Sequence, residues 1–209
     1  MNIKKTANLL LNFTIRRLAE IFGVLISLAG GMLLLALITY SPDDPNFIFP
    51  NNTKIENIMG FHGSFVSDLL FQSVGLMAYL IPFTLLMTGI NILKTKDFFL
   101  IIENNFFIIL YLISGTLFFI HYYSDTYSIF INGTSGFVGQ YINQTFLKSL
   151  ILINESISFY LLILITTIFF LISINFTYRN FIKFIKKIFD FIAKKNTKNY
   201  TDKSEIIHE

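Results

Sequence analysis

The sequence predicts an all-α integral membrane protein with four transmembrane helices, both termini cytoplasmic, and short amphipathic helices at the membrane surfaces. Three observations carry this. Of 209 residues, 54% are hydrophobic and 14% charged, too few charges to cover a soluble domain of this size. The apolar residues fall in four runs free of Asp, Glu, Lys and Arg, at 21–42, 69–93, 104–124 and 156–178. Each matches the roughly 20 residues that cross a hydrocarbon core of about 30 Å. Finally, fourteen of the sixteen Lys and Arg residues lie before the first run, between the second and third, or after the fourth, leaving only Lys54 and Lys148 in the other connections. Because Lys and Arg are retained on the cytoplasmic side, residues 41–65 and 122–155 are expected to face outside.

A fifth uncharged run, 126–147, contains Asn132, Gly133, Thr134, Ser135, Gly136, Gln140, Asn143 and Gln144. That is too much polarity to leave in lipid. Cysteine is absent, which excludes disulfides, cysteine metal sites and thiol nucleophiles in these residues. The first run is longer than a signal-peptide core and no small-x-small site follows it, so it is expected to stay in the membrane.

Residues 1–19 read as a short cytoplasmic amphipathic lead-in, ahead of a four-span domain over 20–178. Span one covers about 21–40, with Gly23, Ser27 and Gly31 spaced by four as a small-residue ridge for close helix packing. "TYSPDDP" then ends it. Pro42 and Pro45 cannot continue a helix, and Asp43 and Asp44 prefer water to lipid. Tyr40, Ser41, Pro42, Asp43, Asp44 and Pro45 are therefore expected to form a rigid outward surface for partner contact. Gly60 and Gly63 permit a turn before span two, about 66–93, where Pro82 is expected to produce a kink. Asp68 is expected in the first turn of that span, where the helix dipole favours a carboxylate.

"KTKD", 94–97, makes spans two and three antiparallel neighbours. Span three covers about 104–123. Val138, Tyr141, Ile142, Phe146 and Leu150 place a surface helix over 136–150, and span four covers about 157–177. Residues 179–209 open with a basic amphipathic segment, Phe181, Phe184, Ile185, Ile188 and Ile192 on one stripe and lysines on another, suited to the inner membrane surface; the remainder is polar. A faint repeat pairs "GSFVSDLLFQ" with "SGFVGQYINQ", where Phe65, Val66 and Gln72 match Phe137, Val138 and Gln144 at one offset.

No phosphate-binding loop, HExxH or GxSxG motif occurs, so no catalytic, cofactor or metal residues are expected. His62 and His121 both fall at the outer boundary, where polar boundary residues are common. Glu103 and Glu155 sit at span ends, and no chain of buried acids crosses the bilayer. A small transporter, or a quinone- or haem-linked subunit, is the rival class and would need polar groups or matched ligands at mid-depth.

Three stretches carry a resemblance. "LLALITYSPDDPNF" is similar to the aliphatic run and Tyr-Ser-Pro-x-Asp-Pro exit of the N-terminal four-helix membrane domain of FtsK/SpoIIIE-type bacterial DNA translocases. "NIMGFHGSFVSDLLFQSVGLMAYL" resembles that family's Gly-x-x-Gly-x-x-x-Ala-Asp-Leu-Leu-Phe-Gln-x-x-Gly lead into the second span. Asp68, Leu69, Leu70, Phe71, Gln72 and Gly75 match, and Ser67 stands for the small Ala. The glycine-rich "NGTSGFVGQYI" is a weaker third piece.

The resemblance covers about residues 15–180 and implies a homo-oligomeric membrane anchor and assembly platform. It would lie in the bacterial inner membrane at the division septum, in contact with the lipid bilayer and other division proteins. The family's ATPase motor and DNA-reading domain have no counterpart in these residues, so DNA is expected to be met only indirectly. The chain reads as a fragment, a separated gene half or a free-standing anchor. Blotting native membranes for the endogenous polypeptide, with an antibody to residues 41–63, distinguishes an anchor near 24 kDa from one within a much larger chain.

Overall fold

The computed structural model describes residues 3–45, 54–124 and 131–177, with side chains from residue 10 onward. Two compact units divide the chain at Asn175/Phe176. The first holds all seven helices of the described residues. The basic stripe expected at 179–195 lies outside the described residues.

Helix α1 (Ile3–Ile38) is continuous for 36 residues, about 54 Å at 1.5 Å per residue. The expected amphipathic lead-in is therefore the same helix as span one, since neither Gly nor Pro interrupts residues 3–22. Helix α2 (Gly60–Val74), a 3-10 turn (Gly75–Tyr79) and α3 (Leu80–Thr95) together form the second apolar element. Helix α4 (Phe99–Tyr122) is the third and α7 (Glu155–Ser173) the fourth. Four helical stretches, Leu10–Ile38, Gly60–Thr95, Phe99–Tyr122 and Glu155–Ser173, are long and apolar enough to cross a membrane. Between α4 and α7 lie α5 (Gly136–Asn143) and α6 (Phe146–Ile153). The single surface helix expected over 136–150 is thus two, divided at Gln144–Thr145, where extended Thr145 caps α6.

The end of the bundle carrying the 39–59 and 123–154 connections is called distal here, and the end carrying the α3–α4 turn proximal. The most extensive contacts are α1 on α3 and α4 on α7. The halves begin alike, with a long helix, a distal connection and a short helix, but the second half adds α6 between α5 and the returning α7. The short helices α2 and α5, which hold the two echoing sequence segments, pack on each other.

Small residues set the α1–α3 distance. A Cβ on Gly23 would lie 2.9 Å from the Gly89 carbonyl oxygen, and one on Gly30 would lie 2.8 Å from the Leu86 nitrogen. Ser27 lies between them, its hydroxyl 3.5 Å from the Leu86 carbonyl. The ridge therefore runs Gly23–Ser27–Gly30, not on to Gly31, whose nearest neighbour across the seam is a Leu86 methyl 4.0 Å away. At 3.6 residues per turn, successive steps of four drift round the helix, and a step of three brings the contact back into line.

The two pairs are joined at the proximal half by hydroxyls and amides. The Thr84 hydroxyl lies 3.0 Å from that of Ser173 and 3.4 Å from that of Tyr111. The Asn104 amide donates to the Thr88 hydroxyl at 2.7 Å, and Asn175 donates to the Asn104 carbonyl oxygen at 2.7 Å. Thr84, Thr88, Asn104, Tyr111 and Ser173 are all buried. In lipid, such interhelical bonds supply adhesion that apolar packing alone does not. Lys96, in the α3–α4 turn, pairs with Glu20 of α1 at 2.9 Å.

Candidate functional site

The distal end of the bundle gathers the residues singled out in the sequence, and α2 is its centre. Helix α1 ends at Ile38, leaving backbone carbonyls without helical partners. The chain then reverses, and Asn57 returns to donate its side-chain amide to the Ala36 carbonyl at 2.8 Å. Asp44 holds that return in place. One carboxylate oxygen accepts the Glu56 N–H at 2.7 Å and the other accepts the Asn57 N–H at 3.0 Å. The Ile58 N–H donates to the Thr39 hydroxyl at 3.2 Å, and the Ser64 hydroxyl to the Pro45 carbonyl at 3.1 Å.

The "SPDDP" stretch is therefore divided in its roles. Asp44 and Pro45 are buried and turned inward, Ser41 is half-buried, and only Pro42 and Asp43 face out. A wholly outward surface is corrected to an inward clasp, because a carboxylate placed against two otherwise unpaired N–H groups satisfies all three.

Tyr40 turns towards α2, where its hydroxyl donates to Asp68 Oδ1 at 3.0 Å. Its ring packs on Phe71 with centroids 4.9 Å apart. Burial first, then the Asp68 charge, push the Tyr40 phenol well above the ordinary tyrosine range. Because α2 begins at Gly60, Asp68 sits in the third turn and not the first. Its carboxylate is held by Tyr40, with the Gln72 amide at 3.4 Å, rather than by the helix N-terminus.

Phe71 is fully buried in a cluster with Leu37, Val74 and Ala78, against which Leu70 also packs. Leu69 is exposed on the opposite face. Gln72 reaches the other half of the molecule. Its side-chain oxygen accepts the Asn132 N–H at 3.1 Å, and its carbonyl accepts the Asn132 side-chain amide at 3.1 Å.

At Gly75 the helix breaks. Gly75 has φ +59° and Gly136 has φ +64°, a region that side chains with a Cβ disfavour. The two backbones cross so closely that a Cβ on Gly75 would fall on the Thr134 carbonyl oxygen, and one on Gly136 would fall 2.6 Å from the Gly75 nitrogen. The Leu76 N–H, freed by the break, donates to the Thr134 carbonyl at 2.9 Å. Thr134 is anchored in turn by its hydroxyl on the Tyr123 carbonyl at 2.8 Å. The kink expected at Pro82 is thus displaced. Pro82 occupies the first turn of α3, where a missing N–H costs no helical bond.

The arrangement is an interlock of four segments: the end of α1, the 54–59 return, α2 and the 131–136 turn. Asn57 belongs to it with no sequence signal of a role, while Asn132, Thr134 and Gly136 lie in the glycine-rich piece of the resemblance, which named no role for them because their partners are remote in the chain. Among the described residues no group of three His, Asp or Glu is placed to hold a metal. His62 is exposed near the start of α2, and His121 lies in the last turn of α4.

The fold and this interlock define a polytopic helical membrane domain organised around a broken second span. The chain belongs to the family described as the 4TM region of DNA translocase FtsK/SpoIIIE, whose model matches residues 15–187. Over 79 residues it is 34% identical to the DNA translocase FtsK of Caulobacter vibrioides, covering 38% of this chain and 10% of that protein. Over 83 residues it is 36% identical to the DNA translocase FtsK of Vibrio vulnificus, covering 39% of this chain and 8% of that protein. The Rickettsia bellii DNA translocase FtsK is 30% identical over 78 residues, 37% of this chain and 10% of its own length. The matched region is thus about a tenth of these relatives. No solved structure matches.

Proposed function

We propose that this chain is the membrane anchor and assembly platform of a DNA translocase acting in bacterial cell division and chromosome segregation. It resides in the inner membrane at the septum, with both termini cytoplasmic. The observation that carries the reading is the coincidence of the family-matching segment with the interlock: Asp68, Phe71, Gln72 and Gly75 each make one of its joints. Residues that resemble the motif of translocase membrane domains fix the distal architecture, as an anchor requires.

The mechanism is packing. The α1–α3 seam and the proximal hydroxyl–amide network hold the bundle. The distal interlock fixes a surface that presents Pro42 and Asp43 to other division proteins. An apolar groove of about 530 Å³ beside α1, α2 and α3, lined by Met32, Leu33, Ala36, Met59 and Val66 among others, faces lipid and a further copy of the chain in a homo-oligomer. ATP hydrolysis and DNA contact belong to parts of the machine outside these residues.

The test is recruitment. A fluorescent fusion of the chain is expected at the septum and is expected to lose that position when Pro42→Ser and Asp43→Asn are combined, which leaves the Asp44 clasp in place. Uniform membrane fluorescence of the unaltered fusion overturns the septal reading. A haem absorption band in the purified protein overturns the anchor reading itself.

A further inference from the structure

At the distal end of α4 and α7, away from the interlock, three aromatic rings and a carboxylate surround a notch of about 270 Å³ lined by Tyr122, Glu155, Ser156, Phe159 and Tyr160. The rings of Tyr122 and Phe159 stand 5.0 Å apart at 88°, and those of Phe159 and Tyr160 stand 5.3 Å apart at 85°. Phe118 braces Phe159 from behind at 5.3 Å. The Tyr122 hydroxyl donates to the Glu155 carbonyl at 2.7 Å, which fixes both the ring and the start of α7.

Aromatic rings packed edge to face beside a small space, with an acid in its lining, suit an organic cation. The acid has no ion-pair partner among the described residues, although His121 feels its charge and the α7 N-terminus, in whose first turn it lies, favours it. Among the described residues the ion pairs are Arg17–Glu20 and Lys96–Glu20, and neither touches Glu155. Nor can the α7 N-terminus itself attract a cation, because its dipole has the opposite sense. The carboxylate and the ring faces must supply the attraction.

The level of the notch identifies the source of the cation. Helix α6 leads into α7 through Asn154 alone, which caps α7 by accepting the Ile157 N–H at 3.1 Å. One face of α6 packs inward through Ile151, against Leu117 and Leu162. The other exposes Phe146, Leu150 and Ile153, and α5 likewise exposes Phe137 and Tyr141. Exposed apolar stripes on short helices joined directly to a membrane span lie at the headgroup–acyl boundary. Tyr122, Glu155 and Phe159, one turn away, therefore stand among the headgroups.

We infer that this notch binds the primary ammonium of a phospholipid headgroup in the distal leaflet. Tyr122, Phe159 and Tyr160 contribute ring faces and Glu155 the counter-charge.

The absence of tryptophan makes the test direct. The full chain carrying Phe159→Trp is reconstituted in vesicles of phosphatidylethanolamine with phosphatidylglycerol, or of phosphatidylglycerol alone. Emission is expected to differ between the two, and the difference to vanish when Glu155→Gln is added. Equal emission in both vesicles, or a difference that survives Glu155→Gln, overturns the proposal. A response to ethylammonium chloride in phosphatidylglycerol vesicles, with none to phosphatidylethanolamine, overturns the lipid assignment. The unsubstituted chain gives an independent reading by native mass spectrometry. Retention of phosphatidylethanolamine over phosphatidylglycerol is expected to fall roughly three- to fivefold in Tyr122→Leu and to stay unchanged in Glu103→Gln; no fall overturns it.

Discussion

The hydroxyl of Tyr40 donates a 3.0 Å hydrogen bond to the carboxylate of Asp68, 28 residues away, and so ties the end of α1 to the middle of α2. Asp68 is 8% exposed, so this donor matters more than it would at the surface. Tyr40→Phe is expected to destabilise the fold by about 1.5–3 kcal/mol, the range for a hydrogen bond to a charged group. Denaturation in detergent micelles measures it. In a double-mutant cycle with Asp68→Asn the two losses are expected not to add; additive losses would mean that the bond contributes nothing.

The same bond has a pH signature. Tyr40 has a folded pKa raised above its unfolded value of about 10. Its contribution is therefore fully present below pH ~10 and is lost as pH rises towards the folded pKa, because the unfolded chain releases its proton first. The decline in stability above pH 10 is expected to be shallower in Tyr40→Phe. Parallel curves for the two proteins would contradict this.

Gly75→Ala and Gly136→Ala should each cost more than about 3 kcal/mol or abolish the folded state, since both need φ > 0 and both lack room for a Cβ. Gly60 is the control. Its φ is +66° but nothing lies within 4 Å of a Cβ, so Gly60→Ala should cost only the conformational term, about 1–2 kcal/mol. Equal losses at all three positions would remove the crossing from the account.

On α1, Gly30→Ala is expected to cost at least about 2 kcal/mol by forcing α1 from the backbone of α3. Gly31→Ala is expected within about 0.5 kcal/mol of the parent or slightly stabilising. Thermal melts of the pair decide which residue belongs to the seam.

Asn104→Leu removes the link between Thr88 and Asn175. A loss of about 1–2 kcal/mol is expected from two bonds of the kind measured between membrane helices. A stability unchanged from the parent would mean that these two bonds contribute nothing to holding the halves together.

The span number was legible because charged residues separate four apolar runs, although the helices continue past those charges to include Arg16, Arg17, Glu20, Asp68 and Glu103. The start of α2 was not. Gly60 to Asp68 mixes glycine, serine and histidine with Phe61, Phe65 and Val66, and the place of Ser64 against the Pro45 carbonyl emerges only in the folded chain. The inward turn of Asp44 was hidden for a related reason: a carboxylate beside proline reads as solvent-seeking until Glu56 and Asn57 are known to lie against it. Thr84, Thr88, Asn104 and Ser173 each pass as tolerable polar residues in an apolar run, and only the assembled bundle makes them a network. The family motif, by contrast, lies across the interlock without indicating what its residues do there.

The break at Gly75 leads to a constraint on biosynthesis. The partners of this break lie in the 131–136 turn, and Gln72 and Asn132 are 60 residues apart in the chain. At roughly 5–20 residues per second, a ribosome delivers that turn about 3–12 s after the second span has emerged. During this interval the Leu76 amide has no tertiary acceptor, and an unbroken helix is the conformation that satisfies it locally. The nascent second span is therefore expected to enter the membrane straight and to bend only when the second hairpin docks, which makes the native shape of the first half a late product of translation.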